Sequence, residues 1–72
     1  MIRYVVIEEH FNTPELGRYR TYGIRAEDEY GKIRAQVSDV SLEPEFVEIL
    51  ARACTEGELS PEQLHDVVLN SI

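Results

Sequence analysis

The hydrophobic pattern changes period near residue 40, and that switch constrains the fold more than any other feature of the chain. From Tyr4 to Val40 apolar and polar residues alternate, as they do in half-buried strands. From Ser41 onward the apolar positions recur every three to four residues, as on helices. A chain of 72 residues has room for one domain, 1–72, and no second. The expected fold is therefore α+β, a three-stranded antiparallel β-meander followed by two helices packed on one face (β-β-β-α-α).

The strands are expected at Tyr4–Phe11, Arg18–Glu27 and Lys32–Val40, with turn residues at Asn12–Gly17 and Asp28–Gly31 between them. Setting Glu27 against Lys32 puts Ala26 opposite Ile33, Ile24 opposite Ala35 and Tyr22 opposite Val37. A one-residue slip would mix the two faces. In the first hairpin, Phe11 against Arg18 puts Ile7 opposite Tyr22 and Val5 opposite Ile24. The expected core face is then Val5, Ile7, Tyr22, Ile24, Ala26, Ile33, Ala35 and Val37. A charged row, Glu9–Arg20–Asp39, crosses its end.

In the helical half, Ser41 is the expected N-cap and Pro44 lies in the first turn. Phe46, Val47, Ile49, Leu50, Ala53 and Cys54 form the apolar stripe, and Gly57 ends the helix at C′. The second start signal reads as a capping box: Ser60 caps, Pro61 takes the first helical position, Gln63 reaches back, and Leu59 staples onto Leu64. Leu64, Val67, Val68 and Ile72 are expected to face inward.

Three stretches carry a resemblance: Thr21-Tyr22-Gly23-Ile24, Val37-Ser38-Asp39-Val40-Ser41, and Leu59 through Val68. Together they resemble a family of small proteins from Gram-positive bacteria catalogued only as a domain of unknown function. The resemblance covers roughly residues 4–72 and implies a bacterial, cytoplasmic setting. It implies no activity, cofactor or catalytic residue.

Charge narrows the partners. The net charge is -7, and it is uneven: residues 1–40 carry six basic and seven acidic side chains, whereas residues 41–72 carry Arg52 against seven acids. Such a balance argues against broad binding to nucleic acid or anionic membrane. The lone cysteine, Cys54, excludes an internal disulfide framework and a zinc site of two or more thiolates. With no secretory-type leader and no apolar run near the ~18 residues of a membrane span, the expected localisation is cytoplasmic.

In this register the uncovered sheet face carries the rows Tyr4–Arg25–Arg34, Val6–Gly23–Gln36, Glu8–Thr21–Ser38 and His10–Tyr19–Val40. Arg25 and Arg34 stand side by side with no acid in their row. The functional reading is an acidic partner or anion between them; the plainer one is two solvated arms, Arg25 resting on Tyr4. Gly23 either marks a close approach or makes room for Tyr4 and Val6. Glu8 and His10 could both reach a metal, but a third ligand is missing, so no metal and no cofactor are expected. His65 and Asp66 read as a solvated helix face, and Cys54 as a buried small hydrophobe. No phosphate-binding Gly-rich loop, nucleophile elbow or Cys-x-x-Cys is present, and no base is paired with a nucleophile, so the chain is expected not to be an enzyme.

The expected function is a non-enzymatic protein-interaction module of unknown biological role. Its partner-binding residues would be Tyr4, Val6, Glu8, Tyr19, Arg25 and Arg34 on the uncovered face. The partner is another protein or a second copy, with Glu8 meeting Arg25 or Arg34 across a homodimer. The alternative is a small anion- or ligand-binding regulatory domain using Arg25 and Arg34.

Overall fold

A computed structural model describes residues 1–72. Three strands, β1 (Arg3–Thr13), β2 (Gly17–Glu27) and β3 (Ile33–Ser41), precede helix α1 (Pro44–Glu56), a single 3-10 turn (Pro61–Gln63) and helix α2 (Leu64–Ser71). The sheet is antiparallel in the order β1-β2-β3, so the α+β architecture is as expected. Both helices lie under one face of it.

The first hairpin is shifted by one residue from the expected register. Phe11 pairs with Tyr19, Ile7 with Gly23, Val6 with Ile24 and Tyr4 with Ala26. The cause is the turn. Gly17 adopts φ +69, and the Thr13–Gly17 pair leaves only Pro14–Leu16 as the loop. A three-residue loop closed by a left-handed glycine is a standard hairpin geometry. The Leu16 N–H, 3.0 Å from Thr13 Oγ1, fastens it. The slip inverts β1: Tyr4 is buried and Val6 packs against the core, while Val5 and Ile7 turn to the open face. Alternation did not forbid this, because Tyr4-Val5-Val6-Ile7 is apolar in both phases.

The second hairpin is shifted by two residues, which preserves the faces. Ala26 pairs with Ala35 and Ile24 with Val37. The turn is longer than the expected four residues because Asp28 organises it. Its Oδ1 accepts from the backbone N–H of both Tyr30 and Lys32 at 2.9 Å, and Gly31 sits at φ +80. Ile33 is thereby left half exposed.

Further along, β3 carries a bulge. Ile24 pairs with Val37, but Tyr22 pairs with Ser41, so β3 spends four residues where β2 spends two. Asp39 sits at its centre with φ +54. The bulge turns Val40 into the core, where an uncovered position was expected, and brings Asp39 beside Thr21 and Glu9 on the open face. The expected Glu9–Arg20–Asp39 row on the core face therefore does not form; Arg20 pairs with His10 instead.

The core joins Tyr4, Ile24, Ala26 and Val40 of the sheet to Val47, Ala51 and Cys54 of α1 and to Leu64 and Val68 of α2. Leu50 and Phe46 are partly buried against it, whereas Ile49 and Ile72 remain exposed. The buried stripe of α1 therefore runs at i, i+4 and i+7. The caps differ from expectation too. Glu43 is the N-cap residue of α1 and makes no side-chain cap bond; Ser41 Oγ accepts its N–H at 3.1 Å. Past α1 the left-handed residue is Glu58, φ 52, not Gly57. Leu59 N–H then reaches Cys54 O at 3.0 Å, closing a Schellman-type end. Ser60 bonds to Glu62 and caps no backbone N–H, so no capping box with Gln63 forms, and the chain enters α2 through the 3-10 turn.

Candidate functional site

The open face of the sheet is built from odd-numbered residues of β1 and β2. Val5 and Ile7 of β1 are partly exposed there and belong to no core contact set. Beyond them Phe11 and Tyr19 pair across the strands with ring centroids 5.7 Å apart. Gly23 lies opposite Ile7 and is buried at the floor of the face. A Cβ there would sit 2.5 Å from the Val37 carbonyl oxygen and 2.9 Å from Glu9 Oε1. Glycine is thus required by the close approach of β3's backbone.

Between the aliphatic and aromatic residues lies a polar knot. Glu9 Oε1 accepts the Asp39 N–H at 2.9 Å, which holds the bulge in its left-handed conformation. Thr21 is fully buried, with its hydroxyl 2.7 Å from Asp39 Oδ1 and 3.0 Å from the Ser41 carbonyl. Tyr19 donates to Asp39 Oδ2 at 3.3 Å. Loss of solvent raises the Tyr19 phenol above its ordinary pKa, and the Asp39 and Glu9 carboxylates add to the rise.

The other end of the face is basic but paired. Arg25 lies opposite Gln36 and donates through Nε to its Oε1 at 3.3 Å. Glu27 is held between Arg3, at 3.0 Å, and Arg25, at 3.6 Å. Arg34 lies 3.7 Å from Asp28. Arg25 and Arg34 are therefore diagonal neighbours, each with its own carboxylate, rather than the expected unpaired couple facing one another.

Of the residues singled out from the sequence, the structure leaves Tyr19, Arg25 and Arg34 on the open face. Tyr4 is 4% exposed, and its hydroxyl donates to the Leu59 carbonyl. Val6 lies on the covered face with it, and so does Glu8, which bonds His10 Nε2 at 2.9 Å. Sequence reasoning missed Val5, Ile7, Glu9, Phe11 and Asp39. The signal that could have found the β1 set was Gly17, whose left-handed position fixes the loop length and hence the register.

Cys54 is buried, and loss of solvent pushes its thiol pKa up. No group of three or more His, Cys, Asp or Glu side chains comes together as a metal-holding cluster. Between α1 and α2 runs a small apolar groove of about 170 Å3 above Cys54, lined by Leu50, Leu59 and Val67. No helix is long and apolar enough to cross a membrane.

No curated protein and no solved structure matches this chain. One family model does, over residues 1–72, and the chain belongs to that family, described as a family of unknown function (DUF6514).

Proposed function

We propose that this chain is a non-catalytic protein-interaction module that works through the open face of its sheet. The observation that carries the reading is the strip of Val5, Ile7, Phe11 and Tyr19 along a face no helix covers. The polar groups within that strip already bond one another, so covering them leaves few hydrogen bonds unmet. Apolar and aromatic anchors among satisfied polar groups are the usual composition of a protein contact surface. The bacterial, cytoplasmic setting implied by the resemblance belongs to the same proposal.

The anion-binding alternative is supported less. An anion at Arg25 or Arg34 would have to compete with Glu27, Gln36 and Asp28, which hold those guanidinium groups.

A test that needs no known partner uses small organic probes. Isotope-labelled chain is titrated with phenol and isopropanol while amide shifts are followed. The expected shifts cluster on Ile7, Gly23 and Tyr19. Clustering in the groove above Cys54, with the sheet silent, would overturn the reading.

A further inference from the structure

The open face has a self-complementary order along its strands. At its centre stand Ile7 and Gly23. One pleat toward the hairpin tip lies the acidic row, Glu9–Thr21–Asp39, whose carboxylates carry no guanidinium partner. One pleat the other way lies Val5–Arg25–Gln36. An acid row and a row holding Arg25, which lies 3.6 Å from Glu27 while Arg3 keeps that carboxylate at 3.0 Å, thus flank an apolar centre at equal distances.

We propose that this face docks on a second copy of the chain about a two-fold axis that runs across the strands at Ile7 and Gly23. The proposal rests on the reading of the open face as an interaction surface and names its occupant. A two-fold axis in the interface has two simple settings. Laid along the strands, it would place Arg25 over Arg25 of the other copy, a like-charge contact. Laid across them, it reverses the row order. Each Arg25 then lies over the other copy's Thr21, with Glu9 and Asp39 on either side, and Ile7 meets Ile7. The aromatic row of Phe11 and Tyr19 falls over the row that carries Arg3, a cation–π pairing. The Ile7 contact lies on the axis and occurs once; each of the others occurs twice. Gly23, with no side chain, lets the two sheets approach at the centre.

The area sets the strength. A footprint from Arg3 to Phe11 across three strands, at about 3.4 Å per residue and about 4.8 Å per strand, comes to about 400 Å2 on each copy. Twice that is about 800 Å2, the low end for specific association, so the dimer is weak and concentration-dependent. The excess negative charge resides in residues 41–72, whose helices lie on the opposite face of the sheet. At physiological ionic strength, with a screening length of about 8 Å, that repulsion is damped more than the contacts at the interface.

The experiment is sedimentation equilibrium of the full chain up to millimolar concentration at physiological salt, with the variants Ile7→Asp, Arg25→Glu and Glu9→Gln. Circular dichroism checks that each folds. Glu9→Gln keeps the oxygen that accepts the Asp39 N–H and removes only the charge, so it remains informative even if a harsher variant unfolds. The expected result is a monomer–dimer equilibrium that Ile7→Asp abolishes. Arg25→Glu should lower the association constant roughly tenfold, and Glu9→Gln roughly threefold. A dimer sensitive to Ile7→Asp but indifferent to both charge variants would overturn this docking while leaving the open-face reading intact. A dimer indifferent to Ile7→Asp would overturn this docking, and the probe titration would then decide the open-face reading. A monomer throughout would overturn the second copy as occupant, and the probe titration would then decide the open-face reading by itself.

Discussion

The Tyr4 hydroxyl donates to the carbonyl of Leu59, so the first strand is tied to the connection between the two helices. Its backbone N–H is also taken, by Thr55 Oγ1 of α1 at 3.0 Å. One residue therefore bridges strand, helix and loop, and Thr55 covers the edge of β1 at that point. Removing the hydroxyl should leave the Leu59 carbonyl without its partner. Tyr4→Phe is expected to cost about 1–2 kcal/mol in urea melts, and Tyr4→Ala about 3–5 kcal/mol. A total stability of ~4–11 kcal/mol is expected for a chain of this size, so the second change approaches unfolding. A neutral Tyr4→Phe would mean that the hydroxyl is solvated in solution.

Glu58 is the residue to change for stability. It holds φ 52 next to Gly57, whose φ is an ordinary -82. A side chain in the left-handed region is strained, and glycine there is not. Glu58→Gly is expected to raise stability by about 0.5–1 kcal/mol in denaturant melts. Gly57→Ala should not gain, since its Cβ would stand 3.1 Å from the Ala53 carbonyl. Equal effects at the two positions would contradict the assigned helix end.

These particulars show what the sequence could disclose. The switch from period two to period three to four located the elements, because burial of one face imposes that pattern wherever only one phase is apolar. In β2 and β3 only one phase is, and Ile24, Ala26, Ala35 and Val37 kept their expected face despite a two-residue shift. In β1 both phases are apolar from Tyr4 to Ile7, so pattern could not choose between them. The choice was made by the φ of Gly17 and by the partner that the Tyr4 hydroxyl finds on Leu59, a contact 55 positions away. The bulge at Asp39 was equally hidden. It is held by Glu9 and Thr21, from two other strands, and no local signal announces it. The β2 part of the proposed surface was therefore legible, together with Arg34 and Gln36 of β3, but the β1 part and Asp39 were not.

Gly23 tests the floor of that surface. The ideal Cβ of an alanine would lie 2.5 Å from the Val37 carbonyl oxygen, which is backbone and cannot swing aside. Gly23→Ala is expected to destabilise by about 2–3 kcal/mol, as β3 moves or the bulge opens. Gly31→Ala offers the contrast: nothing lies within 4 Å of its Cβ, but φ is +80. Its cost should be conformational only, about 1 kcal/mol. Thermal melts of the pair would separate a steric cause from a torsional one; a Gly23→Ala chain as stable as the natural sequence would show that β3 is not held against β2 there.

Asp28 gives the fold a dependence on acid. Its carboxylate accepts the Lys32 N–H, the largest influence, and the Tyr30 N–H, with Arg34 and Lys32 nearby, and together these outweigh desolvation and hold its pKa below the ordinary value. A group whose folded pKa is depressed contributes stability that is present above its unfolded value and lost as the pH falls through the folded one. The second hairpin should therefore be fastened at neutral pH and loosen below the ordinary carboxylate range. Asp28→Asn keeps the oxygen acceptor but removes the charge, so it should flatten this part of the acid dependence while retaining most of the turn. Urea midpoints measured from neutral pH down through that range, for both chains, provide the check. A difference between them that stays constant with pH would show that the Asp28 charge is not linked to folding, and a difference that grows toward acid would contradict a depressed folded pKa.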